Sequence, residues 1–159
     1  MEKSTLEIRN PATLEKIAEL PVATPEEAAQ AVGRARQAQS LWQRKDFAER
    51  AKPLYRFRDL LIDHQDEMAE TVAAETGKPL AEVYGNELFY VCDAIGFWAK
   101  NAVKYLRPEK LRPHLLKTKK VLSRYEPLGV VGIISPWNFP LALTAGEAIP
   151  ALMAGNAVI

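Results

Sequence analysis

The feature that most constrains this chain is the stretch Gly129-Val130-Val131-Gly132-Ile133-Ile134-Ser135-Pro136-Trp137-Asn138-Phe139-Pro140. It opens as a continuous apolar run, breaks into a loop carrying one amide side chain, and passes into an apolar pattern at helical spacing. A strand buried on both faces, followed by a loop and a crossover helix, reads this way. The spacing predicts a strand over 129–135, a loop over 136–139 and a helix over 141–153. Pro140 opens that helix and Pro150 is expected to bend or break it late. Ala154-Gly155-Asn156 ends it, and residues 157–159 begin a second strand. The unit is β-α-β, whose strands are parallel and whose crossover is right-handed in nearly all cases. Ligands of open α/β sheets bind beyond the carboxyl ends of the strands, and the 136–139 loop holds that place.

Upstream of this unit the pattern is mostly helical. Residues 5–9 alternate with period two, Asn10-Pro11-Ala12-Thr13 supplies turn chemistry, and 14–20 reads as a second strand ended by Pro21. Such a hairpin is marginal alone and must lie against something else. Thr24-Pro25-Glu26-Glu27 is a helix start with a capping box, and Asp46-Phe47-Ala48-Glu49 offers another. Pro53 sits inside the second helical run, where a proline costs about 3 kcal/mol, so a kink or a late start is expected. A third helix spans about 66–76, with Gly77 placed for a left-handed cap and Pro79 beyond it. A fourth carries Tyr84, Leu88, Val91, Cys92, Ile95, Trp98, Ala99, Ala102 and Tyr105 at three- and four-residue intervals as far as residue 105. Residues 107–113 read as a linker. Residues 114–116 and 121–125 read as extended segments around Lys117-Thr118-Lys119-Lys120, which is more simply a solvated turn or charged edge than an anion contact.

Composition narrows the function classes. A net charge of +1 gives no global field for nucleic acid or an anionic membrane. The apolar stretches are too short or too punctuated by Pro and Gly to span a bilayer, and the N-terminus has no apolar segment of the secretory type. One cysteine and two widely separated histidines exclude an internal disulfide framework and a Cys/His metal site. A cytoplasmic protein without a metal of its own is the expectation.

Asn138 is the leading candidate for chemistry. A side-chain amide held between Pro136 and Pro140 in a dry cleft can stabilise negative charge developing on a carbonyl oxygen. It can equally bond its own loop or cap the following helix, and pattern alone leaves both open. Gly129 and Gly132 lack the third glycine or the Gly-Lys-Ser/Thr of a phosphate loop. Cys92 lies on the apolar stripe without a histidine or helix N-terminus to activate it, and reads as an inert core thiol. Trp98 and Trp137 read as packing residues. Glu147 on the crossover helix reads either as a carboxylate facing the site or, slightly favoured, as the helix's solvent-facing charge.

The run from Tyr125 through Pro140, with Pro136-Trp137-Asn138-Phe139-Pro140 at its centre, resembles a signature of the NAD(P)-dependent aldehyde dehydrogenase superfamily. So does Ile149-Pro150-Ala151-Leu152-Met153-Ala154-Gly155-Asn156-Ala157-Val158-Ile159. The hairpin turn, Glu75-Thr76-Gly77-Lys78-Pro79 and the long helix follow in the family's order. The resemblance implies an α/β fold: the N-terminal part of an aldehyde dehydrogenase, with a β-hairpin and long helices leading into the first β-α-β unit of a Rossmann-like parallel sheet. It divides the chain into residues 1–113, a β-arm for oligomer contacts over 114–127, and the start of the dinucleotide-binding sheet over 128–159. Asn138 matches the asparagine of the oxyanion hole. Ile134, Ser135, Pro136 and Trp137 match the strand end and loop that contact NAD or NADP, largely through backbone. In the family a cysteine thiolate attacks the aldehyde, and a glutamate-activated water hydrolyses the thioester. Both those residues match positions beyond Ile159, so the 159 residues alone are expected to be inactive. Glu147 stands where many members have lysine. The partners implied are an aldehyde substrate and further copies of the chain; the alternative is an inert interaction module.

Overall fold

The computed structural model describes residues 4–115 and 117–159. Residues 1–3 and Leu116, and the parts of the readings above that rest on them, lie outside it. Strand β1 (Thr5–Arg9) pairs antiparallel with β2 (Lys16–Pro21). The second strand starts later than the alternation suggests because Leu14 takes a positive φ of 64° in the turn, a costly conformation for a residue with a β-carbon. Asn10 Oδ1 organises that turn by accepting from the amides of Ala12 (2.8 Å) and Thr13 (3.1 Å). Pro21 closes the ladder opposite Thr5, an end position where a missing N–H is tolerated. Most of the hairpin is exposed; Pro11 in its turn approaches Gly77.

Helix α1 (Pro25–Trp42) and helix α2 (Phe47–Asp63) each start with a complete capping box, on Thr24/Glu27 and Asp46/Glu49. Pro53 neither delays nor interrupts α2. Pro53 and Glu49 are both exposed, so the Glu49 carbonyl freed by the proline lies on the solvated side, where water can satisfy it. Helix α3 (Gln65–Thr76) ends at Gly77, which takes the left-handed cap with φ 74°.

The fourth helical stretch is three segments rather than one. Helix α4 (Leu80–Val83) gives way to a π-helical turn (Tyr84–Phe89), and helix α5 (Tyr90–Tyr105) follows. A π-turn bonds i to i+5 and shifts the face that follows, which a constant 3.6-residue period does not anticipate.

Strand β3 (Glu109–Leu111) pairs antiparallel with β4 (Val121–Ser123). The partner of the 121–123 segment therefore lies in the stretch read as a linker, while His114 and Leu115 are in a bend. Strand β5 (Val130–Val131) pairs parallel with β6 (Ala157–Val158), and Ile133 N–H extends the ladder to the Ile159 carbonyl. The predicted 129–135 strand is thus paired over a shorter span, since residues 134 and 135 have no ladder partner among those described. Helix α6 (Ala142–Met153) crosses between them and continues past Pro150.

The core lies where α2, α5 and α6 pack together. Leu54, Leu61, Val72, Val83, Leu88, Val91, Ile95, Ala102, Ile149 and Met153 form one buried cluster. Each Val, Leu, Ile or Met side chain among them contributes on the order of 1.5–3 kcal/mol of transfer free energy. No helix among the described residues is long and apolar enough to cross a membrane.

Candidate active site

Helix α6 fixes the loop before it and the turn after it, and both of its ends are satisfied by side chains from far upstream. At its C-terminus Trp42 Nε1 donates to the Leu152 carbonyl (2.8 Å), Arg50 Nη1 to Met153 (2.6 Å) and Gln39 Nε2 to Gly155 (3.0 Å). Asn156 then ties the helix to β5: its Nδ2 donates to Ala151 and its Oδ1 accepts from Gly129 N–H, both at 3.0 Å. These bonds add to those that Gly155 and Asn156 N–H make to the Leu152 and Ala151 carbonyls, so the helix end is held by both main chain and side chains.

At the N-terminus the partner is Glu87. Its Oε2 accepts from the amides of Leu141 (3.1 Å) and Ala142 (2.7 Å), while Oε1 takes Lys78 Nζ at 2.6 Å. The carboxylate is 0% exposed. The Lys78 ammonium stands 3.4 Å from the centroid of the Phe139 ring. None of this was read from the sequence, although a signal existed: Val83, Glu87, Val91 and Ile95 form an i, i+4 row in which the three apolar members are fully buried. An acid in such a row is buried too, and needs partners.

The loop candidates lie together beyond the carboxyl end of β5. Ile134 (101% exposed) and Trp137 (82%) are open, so Trp137 does not serve as the packing residue expected of it. Ser135 Oγ lies 2.7 Å from Thr144 Oγ1, which fastens the strand end to α6. Asn138 and Trp137 share a cleft of about 430 Å³ with Pro11, Glu75, Thr76 and Lys78. Among the described residues the Asn138 side chain is exposed and has no hydrogen-bond partner, and the cap of α6 that it might have supplied belongs to Glu87. Its amide is therefore free to meet a ligand.

Two other candidates stand apart. Cys92 is half-buried on α5, beside Leu61, Tyr84 and Leu88. Burial pushes its thiol above the ordinary range, with Arg58 opposing and Asp59 adding to the effect. A thiol held protonated is a poor nucleophile. Glu147 is exposed. Among the described residues no cluster of His, Cys, Asp or Glu could hold a metal ion.

The "Aldehyde dehydrogenase family" model matches residues 1–159. The chain belongs to the aldehyde dehydrogenase family. Over 140 residues it is 41% identical to a Mycolicibacterium smegmatis protein named provisionally as succinate-semialdehyde dehydrogenase (NADP+), covering 88% of this chain and 27% of that one. The mitochondrial succinate-semialdehyde dehydrogenase of Arabidopsis thaliana is 37% identical over 158 residues, covering 99% and 29%. The crystal structure of succinate-semialdehyde dehydrogenase from Burkholderia pseudomallei superposes with a TM-score of 0.90 at 36% identity, covering 98% of this chain and 32% of that one. The chain thus spans about a third or less of its relatives' length, and its architecture is the corresponding part of the aldehyde dehydrogenase fold.

The family implies a nicotinamide dinucleotide, and the residues present fit one in a particular way. The first-turn amides Leu141 and Ala142, where a helix would cradle a phosphate, are already bound by Glu87. The open side chains of the strand end and loop are Ile134, Pro136 and Trp137, with the Ser135 hydroxyl engaged by Thr144; they suit backbone and ring-face contact rather than a phosphate cradle.

Proposed function

We propose that residues 1–159 form the N-terminal portion of an enzyme that oxidises an aldehyde to a carboxylic acid with NAD or NADP, and that they supply the oxyanion-hole amide and one wall of the cofactor site. The observation that carries this reading is the exposed, unpartnered Asn138 amide on a loop whose structural bonds are all made by other groups. A thiolate from elsewhere in the full-length protein adds to the aldehyde carbon, and negative charge collects on the carbonyl oxygen. The Asn138 N–H donors meet that charge without having to reorganise. Ile134, Ser135, Pro136 and Trp137 would hold the dinucleotide, which would supply the hydride acceptor. Water then cleaves the resulting thioester. Succinate semialdehyde, named in several relatives, is the first substrate to try.

The test is Asn138→Ala in the full-length chain carrying this segment. Loss of one oxyanion donor is expected to lower kcat by about 10²–10³-fold with little change in KM for the dinucleotide. An unchanged kcat sinks the reading. The 159 residues alone, mixed with NAD or NADP and aldehyde, are expected to produce no reduced cofactor.

A second reading concerns assembly. The β3–β4 ribbon has three residues in each strand and exposes Leu111, Leu122 and Tyr125. A two-stranded ribbon this short is marginal in water alone, which supports a role for residues 114–127, with 109–111 as partner strand, in contact with another subunit. Sedimentation of chains with Leu111 and Leu122 changed to Ser separates the cases; an unaltered assembly state counts against the arm.

A further inference from the structure

Glu87 is the sole buried carboxylate among the described residues, and every contact it makes points at the Pro136–Pro140 loop or its continuation. One oxygen holds the two amides that immediately follow Pro140. The other holds Lys78, whose ammonium rests on the Phe139 ring, next in sequence to Asn138. The loop is thus gripped on its C-terminal side by hydrogen bonds and at Phe139 by a cation–π contact. Lys78 is also a wall of the cleft that Asn138 lines. Glu87 itself is sealed from that cleft, with both oxygens engaged, so it has no path to a substrate proton. It sits in the π-helical turn between α4 and α5, fully buried against the start of α6.

We propose that the buried Glu87–Lys78 pair is a positioning device for Asn138, setting the depth and direction of its amide toward the oxyanion. The proposal rests on the oxyanion reading of Asn138. An amide displaced by a fraction of an ångström still binds weakly but stabilises the transition state less, so the effect falls on kcat rather than on the KM for the dinucleotide.

The experiment is a double-mutant cycle in the full-length chain carrying this segment. Glu87→Gln is expected to lower kcat roughly ten- to a hundred-fold. In an Asn138→Ala background, where there is no amide left to misplace, the same change is expected to cost less than about twofold. Phe139→Leu is the second variant, since it keeps the ion pair and the helix cap and removes only the ring face. It serves if Glu87→Gln does not fold, and it is expected to show the same dependence on Asn138. If kcat falls by the same factor in both backgrounds, the pair contributes only stability and the positioning role is overturned. If Asn138→Ala alone leaves kcat unchanged, the oxyanion reading fails and the positioning role falls with it, a result distinct from simple additivity.

Discussion

The guanidinium of Arg50 lies against the α-carbon of Gly155, so close that a β-carbon at that position would stand 3.3 Å from its carbon and from Nη1. Gly155 also has φ +93°, where a side chain is strained in its own right. Gly155→Ala therefore either displaces the guanidinium or bends the turn into β6. The expected loss is about 1–3 kcal/mol, read as a lower urea midpoint at unchanged m-value.

Arg50 donates to three carbonyls at once: Lys45 (3.0 Å), Met153 (2.6 Å) and Gln43 (3.1 Å). Arg50→Met keeps much of the stem packing but leaves all three carbonyls without their guanidinium donor, and about 2–3 kcal/mol is expected to go in a denaturant titration. Arg50→Lys should recover little of it, because one ammonium cannot reach three separated carbonyls in the geometry of a planar fork. Full recovery by lysine would show that charge alone matters there.

Pro53 points the other way. It removes a backbone donor from the interior of α2 on an exposed face. Pro53→Ala restores the bond to Glu49 at the expense of a freer unfolded chain, and a net gain of about 1–2 kcal/mol is expected from the two opposing terms. A melting temperature that fails to rise would mean the proline makes an unrecognised favourable contact.

Cys92 offers a pH-dependent measurement. Its thiol is shifted upward, mainly by burial, so at any pH below that raised value the folded chain holds less thiolate than an ordinary cysteine. Alkylation by iodoacetamide near neutrality should be slower than for a model thiol, should accelerate as pH rises past the ordinary thiol range, and should jump when denaturant opens α5. Fast labelling of the folded chain at neutral pH contradicts the burial argument.

Much of the architecture was legible because its determinants are local. Thr24 and Asp46 declare their helices within four residues, Gly77 ends α3 where a left-handed cap was expected, and the βαβ order follows from two apolar runs around a helical pattern. What was illegible depends on distance in sequence. Glu87 shares an i, i+4 row with the buried Val83, Val91 and Ile95, but the Leu141 and Ala142 amides that satisfy its carboxylate lie 54 and 55 residues further on. Gln39, Trp42 and Arg50 bond carbonyls 103 to 116 residues further on, and no local pattern announces those acceptors. Asn138 itself was visible as a candidate, but the sequence could not say that its capping role was taken by another residue.

That both ends of α6 are held by groups made so much earlier in the chain has a kinetic consequence. Its partners lie 54 and 55 residues away at the N-terminus and 103 to 116 away at the C-terminus. Nearly all of the closure entropy of those long loops is lost before the first cap bond forms, whereas α1 and α2 cap themselves within one turn. The crossover unit should assemble last onto a preformed helical platform and open first from it. The loop bearing Asn138 would then be the part of this segment whose order is most sensitive to anything that loosens the platform beneath it.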